Sequence, residues 1–257
     1  GPDPAPRRLL GPRLAAAYGA PCDWLPGDEG LVCRVVPESR GAVPVEEALP
    51  TGPLVEENRG RKTPARTYAD LLASAHDEAL LDHYLTTEIV HVALDGTVTK
   101  LFDAALWSNV ATSPDGRYLL VTEVHRPYSR QVPLGSFPRR IEVVERATGK
   151  RTEVADLQLA DDVPITFGSV RTGRRIAGWR PDEPATVWWV VALDGGDAGR
   201  AATDDEQRAG AGAPIGRRAR AAREEHRCHQ EQVSADAGEE LRCHGARAYE
   251  ISRAQRR

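Results

Sequence analysis

The chain has 257 residues, enough for one large domain or two small ones, with a net charge of −4 and a pI near 6.0. That balance gives no electrostatic case for nucleic acid or an anionic membrane as a partner, and no run of about 20 apolar residues exists to span a bilayer. Mean hydropathy is −0.46 and aromatics make up 5%, a globular composition lean in core formers.

The opening Gly1-Pro-Asp-Pro-Ala-Pro6 lacks the charged and then apolar order of a signal peptide, and the sequence has no Met. The expectation is a fragment or a processed chain, so no compartment can be read from this end. Lys occurs only at positions 62, 100 and 150, and Arg elsewhere, which reads as the codon usage of a GC-rich genome.

Residues 22–36 predict a hairpin, with Leu31–Val36 as its return strand. Cys22 and Cys33 flank its turn. A disulfide between them is open, but free, half-buried thiols are the favoured reading in so Cys-poor a chain. Residues 37–66, rich in Pro, Gly and charge, predict a long loop. Tyr68, Leu71, Leu72 and Ala75 then follow helical spacing, with Thr67 and Asp70 as a capping box, and a second short helical piece runs from Asp77 to about Tyr84. Together these make a loop-helix insertion over about 37–86.

Strands resume at Glu88–Ala93, turn at Asp95-Gly96 and return over Thr97–Phe102. A hairpin over Ser113–Val124 comes next, then a Pro- and Arg-bearing loop over 126–140. Arg140–Glu145 and Arg151–Val154 pair around Thr148-Gly149, and Ile176–Val191 folds back at Pro181–Pro184. Trp188 and Trp189 must point to opposite faces of their strand, so only one enters a given core.

Three stretches repeat one design: Trp24-Leu-Pro26-Gly-Asp-Glu-Gly30, Ser113-Pro-Asp-Gly116 and Trp179-Arg-Pro181-Asp182. Each is a Pro/Asp turn feeding an apolar strand, and the middle one has type I turn composition. Degenerate copies at long spacing predict repeated antiparallel units, as in propeller blades. The expected fold is all-β, a partial β-propeller of about three blades over 1–198. After Asp197 the character changes: residues 199–257 hold about a dozen Arg, no Phe and no Trp. Such a segment buries too little apolar surface to offset chain entropy, so it predicts disorder. An out-of-frame reading of GC-rich DNA is one origin for it; a natural disordered tail or a functional segment are others.

Taken in order, Gly52–Asn58, Arg66–Leu72, His76–Leu80, Ser113–Val121, His125–Ser129, Phe137–Val143, Ala155–Leu157, Val163–Ile165, Gly168–Gly173 and Ala192–Asp197 resemble the propeller domain of prolyl oligopeptidase family serine peptidases. The resemblance is to the glutamyl endopeptidase-like branch, over about 11–197. It implies a propeller that restricts entry and helps hold a peptide substrate, capping a C-terminal α/β-hydrolase domain with a Ser-Asp-His triad. It also leans towards a periplasmic or secreted setting. This sequence carries no Gly-x-Ser-x-Gly elbow, since Gly135-Ser136 and Gly168-Ser169 lack the flanking glycines, so no catalytic residue carries over. The expected partners are a peptide and that hydrolase domain. The alternative is a stand-alone, propeller-like binding module for a protein or peptide.

Three residues are candidate substrate contacts: Arg126 and Tyr128 in the loop after His125, and Arg171 in the Gly168–Gly173 loop. Arg offers a bidentate fork to a carboxylate. The competing reading is that these side chains pair with neighbouring acids or tie loops to strands. His226, Cys228-His229 and Cys243-His244 bring soft metal ligands together, but adjacent Cys-His pairs suit one tetrahedral ion poorly, and neither a metal nor another cofactor is expected.

Overall fold

The computed structural model describes residues 6–46, 68–163, 168–192, 195–197 and 246–251. Its strands are β1 (Cys22–Trp24), β2 (Leu31–Val35), β3 (Thr87–Val92), β4 (Val98–Thr112), β5 (Tyr118–Val124), β6 (Arg139–Glu145), β7 (Arg151–Leu157), β8 (Ile176–Trp179), β9 (Val187–Ala192) and β10 (Ala246–Ile251). The helix α1 spans Ala75–Leu85. The first seven strands form a curled, seven-stranded sheet in sequence order, and β10-β9-β8 forms a second sheet. Every pairing is antiparallel. Among the described residues the fold is all-β with one α-helix; the all-β class is the one that the turn pattern predicted.

The long β4 belongs to both halves of the curl. Its first part, Val98 to Ala105, pairs with β3, and its second part, Leu106 to Thr112, pairs with β5. The changeover is marked by register shifts around Ile89 on the β3 side and between Trp107 and Asn109 on the β5 side. A bulge breaks the regular ladder and bends the strand. Buried Arg34 meets the bend, donating to the carbonyls of Trp107 (3.3 Å) and Ser108 (3.1 Å) and to those of Tyr18 and Ala20. One guanidinium thus satisfies acceptors that would otherwise be lost in the interior.

Burial follows the curl. Leu119 and Val121 of β5 pack with Leu25, Val32, Ile89, Phe102 and Trp107, inside the fold between the two halves. Leu120 points the other way, to Ile141, Val154, Leu157, Val187 and Trp189, under the β8–β9 hairpin. The unbroken apolar run Leu119-Leu120-Val121 is what a strand covered on both faces needs. Trp189 is buried there, whereas Trp188 lies over Gly178, as the alternation required.

The three Pro/Asp turns lie side by side. The Cβ position of Gly116 is 3.1 Å from the Pro26 ring, the Asp115 amide donates to the Pro184 carbonyl at 3.0 Å, and Arg146 joins the Gly116 carbonyl to Glu29. The middle turn closes with Gly116 N–H on the Ser113 carbonyl at 2.8 Å. In each case the turn links two neighbouring strands: β1 to β2, β4 to β5, and β8 to β9.

Three expectations need correction. Tyr68–Ala73 is not helical, and Asp70 takes φ 57°, in the left-handed region. The capping box falls at Ser74 and Asp77, where Ser74 Oγ accepts from the Asp77 amide at 3.1 Å and the Asp77 carboxylate accepts from the Ser74 amide at 3.1 Å. Thr67 lies outside the described residues, as does most of the 37–66 loop. Cys22 and Cys33 form a disulfide, not free thiols: they are directly paired across β1 and β2 with Cα atoms 4.1 Å apart. Finally, Ala246–Ile251, within the segment expected to lack structure, pairs along β9. The rest of 199–257, with its Cys-His pairs, lies outside the described residues.

Candidate functional site

The two ends of the sheets differ in kind. One carries the short turns just described, together with Asp95-Gly96 and Thr148-Gly149. The other carries the long connections: the segment leading into α1, the β5–β6 loop with its 3-10 turn Leu134–Ser136, and the β7–β8 loop. A Leu106, Val124 and Phe137 cluster holds this end together, with Leu72, Leu81, Leu85 and Tyr128 packed against it. Rigid strands presenting long loops are where binding residues concentrate, and all three candidates lie here.

Arg126 and Tyr128 act together. The Arg126 fork reaches Glu78 Oε2 (2.6 Å) and Asp82 Oδ2 (2.7 Å) on α1, and its guanidinium lies 4.3 Å from the Tyr128 ring centroid. The Tyr128 hydroxyl donates to Asp82 Oδ1, and its ring stacks on Phe137 at 5.3 Å. Arg130 also approaches Glu78. Burial, reinforced by the hydrogen bond to Asp82, pushes the Tyr128 phenol well above its ordinary value; the two carboxylates hold Arg126 firmly protonated. This network ties the β5–β6 loop to α1. Both nitrogens of the Arg126 fork are occupied, so a substrate carboxylate would have to share or displace Glu78 and Asp82.

Arg171 sits apart from that network. Its Nη1 donates to the carbonyls of Phe137 (3.2 Å) and Gly135 (3.5 Å), and its Nη2 to that of Gln158. Its neighbour is Arg139, at the start of β6, whose Nη2 donates to the same Gly135 carbonyl at 2.8 Å and to Leu134 at 3.3 Å. Burial, with the Arg139 charge adding to it, pushes Arg171 down to about 10. Burial also lowers Arg139. Both guanidiniums line a cavity of about 320 Å³ together with Tyr68, Asp161, Ser169 and Arg175. Sequence reasoning found Arg171 but missed Arg139, whose position at a strand start carries no signal until the burial is known.

His125 deserves comparison with a catalytic dyad. Its Nε2 faces Asp156 Oδ1 at 2.9 Å, but its Nδ1 faces the Arg126 carbonyl at 2.8 Å. Both nitrogens face acceptor oxygens, not the hydroxyl or thiol that a catalytic base would activate. The arrangement instead fixes the start of the β5–β6 loop against β7.

Two plant proteins match the chain. One, from Oryza sativa subsp. japonica and named "Probable glutamyl endopeptidase, chloroplastic", is 41% identical over 176 residues, 68% of this chain and 19% of its own length. One of the same name from Arabidopsis thaliana is 40% identical over 169 residues, 65% of this chain and 18% of its own. By name, these relatives are peptidases. The chain spans about a fifth of their length. No family model matches it.

Proposed function

We propose that this chain is a non-catalytic, blade-built part of a serine peptidase of the prolyl oligopeptidase type, which holds and orients peptides over a hydrolase domain. The β4 handover carries the reading. Strands β1, β2, β3 and the first part of β4 make one four-stranded unit; the second part of β4 with β5, β6 and β7 makes another. Four-stranded antiparallel units repeated along the chain are what propeller blades are, and the bend in β4 falls where one such unit would pass to the next. The β8–β9 hairpin would begin a third unit, and the like placement of the three Pro/Asp turns supports the repeat. The similarity to plant endopeptidases supplies the chemistry, and the long-loop end supplies the surface. On this reading Arg126, Tyr128 and Arg171 contact the substrate, Arg126 by exchanging an α1 carboxylate for a peptide carboxylate.

The test uses the purified chain and an acidic peptide. Saturable binding without turnover is expected. Turnover abolished by a serine-reactive phosphonate would refute the non-catalytic assignment, and absence of binding would sink the peptide-holding role. One observation favours a stand-alone binding module instead: β10 runs along β9, so the chain covers that strand edge itself. A cooperative melt with native-like β circular dichroism would support that alternative, while a partly folded, aggregating chain would support the piece of a larger enzyme.

A further inference from the structure

We infer that the cavity between the Leu134–Ser136 turn and the Gly168–Gly173 loop binds a small oxyanion, a carboxylate or phosphate group, held by Arg139 and Arg171. The inference rests on this cavity and survives if the peptide-orienting reading fails.

Arg139 and Arg171 are half-buried, and among the described residues both donate only to main-chain carbonyls: those of Leu134 and Gly135 for Arg139, and those of Gly135, Phe137 and Gln158 for Arg171. Neither forms an ion pair with a carboxylate among the described residues. Carbonyl dipoles orient a guanidinium but leave its charge in place, and a charge taken partly out of water is costly until an opposite charge meets it. The two cations also converge on one carbonyl, that of Gly135, so each raises the cost of the other. The Arg139 Nε is buried with no hydrogen-bond partner among the described residues. A buried donor unmatched among the described residues, beside two cations that meet only carbonyls there, is what an incoming anion would satisfy. The Tyr18 hydroxyl is a second buried group without a hydrogen-bond partner among the described residues, near enough to Arg139 to be affected by its charge.

The cavity has the size for such a ligand. Its volume of about 320 Å³ is at the small end of ligand pockets, suited to an acidic side chain, a dicarboxylate or a phosphate rather than a large cofactor. Asp161 on the wall sets a limit: a bulky anion would meet its charge, whereas a group seated against Arg139 and Arg171 would not need to.

The experiment is titration calorimetry on the full chain, with thermal shift as a second readout, using four probes: glutarate, its uncharged diamide, inorganic phosphate and an acidic peptide. Glutarate or phosphate should bind and raise the melting temperature with concentration, and the diamide should not. Arg171→Met should weaken that binding about ten-fold or more, with Arg171→Lys between it and the parent, because the fork is lost while the charge remains. Arg117→Ala, at the turn end, serves as the control that leaves binding unchanged. If Arg171→Met fails to fold, the comparison of glutarate with its diamide on the parent chain still decides. Phosphate binding without glutarate identifies a phosphate source; glutarate binding identifies a carboxylate source. No binding by either anion, equal binding of the diamide, or undiminished binding by a folded Arg171→Met overturns the site. Peptide binding without small-anion binding overturns it while leaving the peptide-holding role intact, and the reverse result separates the two the other way.

Discussion

Leu120 tests the stacking of the β8–β9 hairpin on the seven-stranded sheet. Its side chain is 1% exposed and sits among Ile141, Val154, Leu157, Val187 and Trp189. Truncation to Ala removes three carbons from a closed environment, and such changes cost about 2–5 kcal/mol, the higher values where the cavity cannot collapse. Strands clamp this site on both sides, so about 3–4 kcal/mol is expected for Leu120→Ala. The direction of its coupling is the sharper test. Val187→Ala lies in the same cluster and should be non-additive with Leu120→Ala by about 0.5 kcal/mol or more, whereas Val32→Ala, in β2 and packed against the opposite face of β5, should add within about 0.3–0.5 kcal/mol. Urea unfolding of the single and double variants, followed by tryptophan fluorescence, measures both. A Leu120→Ala cost below about 1 kcal/mol, or coupling to Val32 instead of Val187, would show that the hairpin does not pack where the fold places it.

Ser74→Ala removes one half of the helix cap and should cost about 1 kcal/mol of stability in denaturant melts. Asp77 provides the other half, and the hydrogen bonds from Ala73 and Ser74 hold its carboxyl below the usual range. Its contribution is therefore present above the ordinary carboxylate pKa and lost as pH falls through the lower folded value, so Asp77→Asn should matter at neutral pH and cease to matter in acid. Thiol titration of the native, unreduced chain should leave Cys22 and Cys33 unreactive. Closing a loop with a sequence separation of 11 predicts a loss of roughly 2–3 kcal/mol on reduction. Gly30→Ala should cost about 2–4 kcal/mol in the same melts. Gly30 has φ 111°, and a Cβ there would lie 2.2 Å from the Val92 carbonyl oxygen, a backbone atom with little room to move. A near-neutral Gly30→Ala would mean that β2 and β3 are not in register as described.

Hairpins marked by turn chemistry were legible in the sequence. Asp95-Gly96 and Thr148-Gly149 each lie between the strands expected, and Ser113–Gly116 turns into the strand expected after it, because these residues fix local backbone angles without tertiary help. The second part of β4 was not legible. Asp103-Ala-Ala-Leu-Trp-Ser-Asn-Val-Ala-Thr112 shows no clean alternation, since the bulge at Trp107 shifts which residues face inward. The helical spacing at Tyr68, Leu71 and Leu72 misled for a related reason. It reflects an irregular segment lying against the Phe137 cluster, and Asp70 in the left-handed region interrupts any helix there. The Cys22–Cys33 pair required the strand register, since the flanking positions around a turn do not say which residues face each other. At the loop end, Arg126, Tyr128 and Arg171 were visible as loop residues able to grip a carboxylate. The Glu78 and Asp82 that occupy Arg126, and the Arg139 that stands beside Arg171, come from distant positions and only the fold unites them.

Hydrogen exchange of the purified chain, with and without an acidic peptide, tests the peptide-holding role most directly. Protection confined to the β5–β6 loop around Arg126 and Tyr128, and to the Gly168–Gly173 loop, is expected. Protection at the Ser113–Gly116 and Pro181–Pro184 end, or no change anywhere at a saturating peptide concentration, would contradict it.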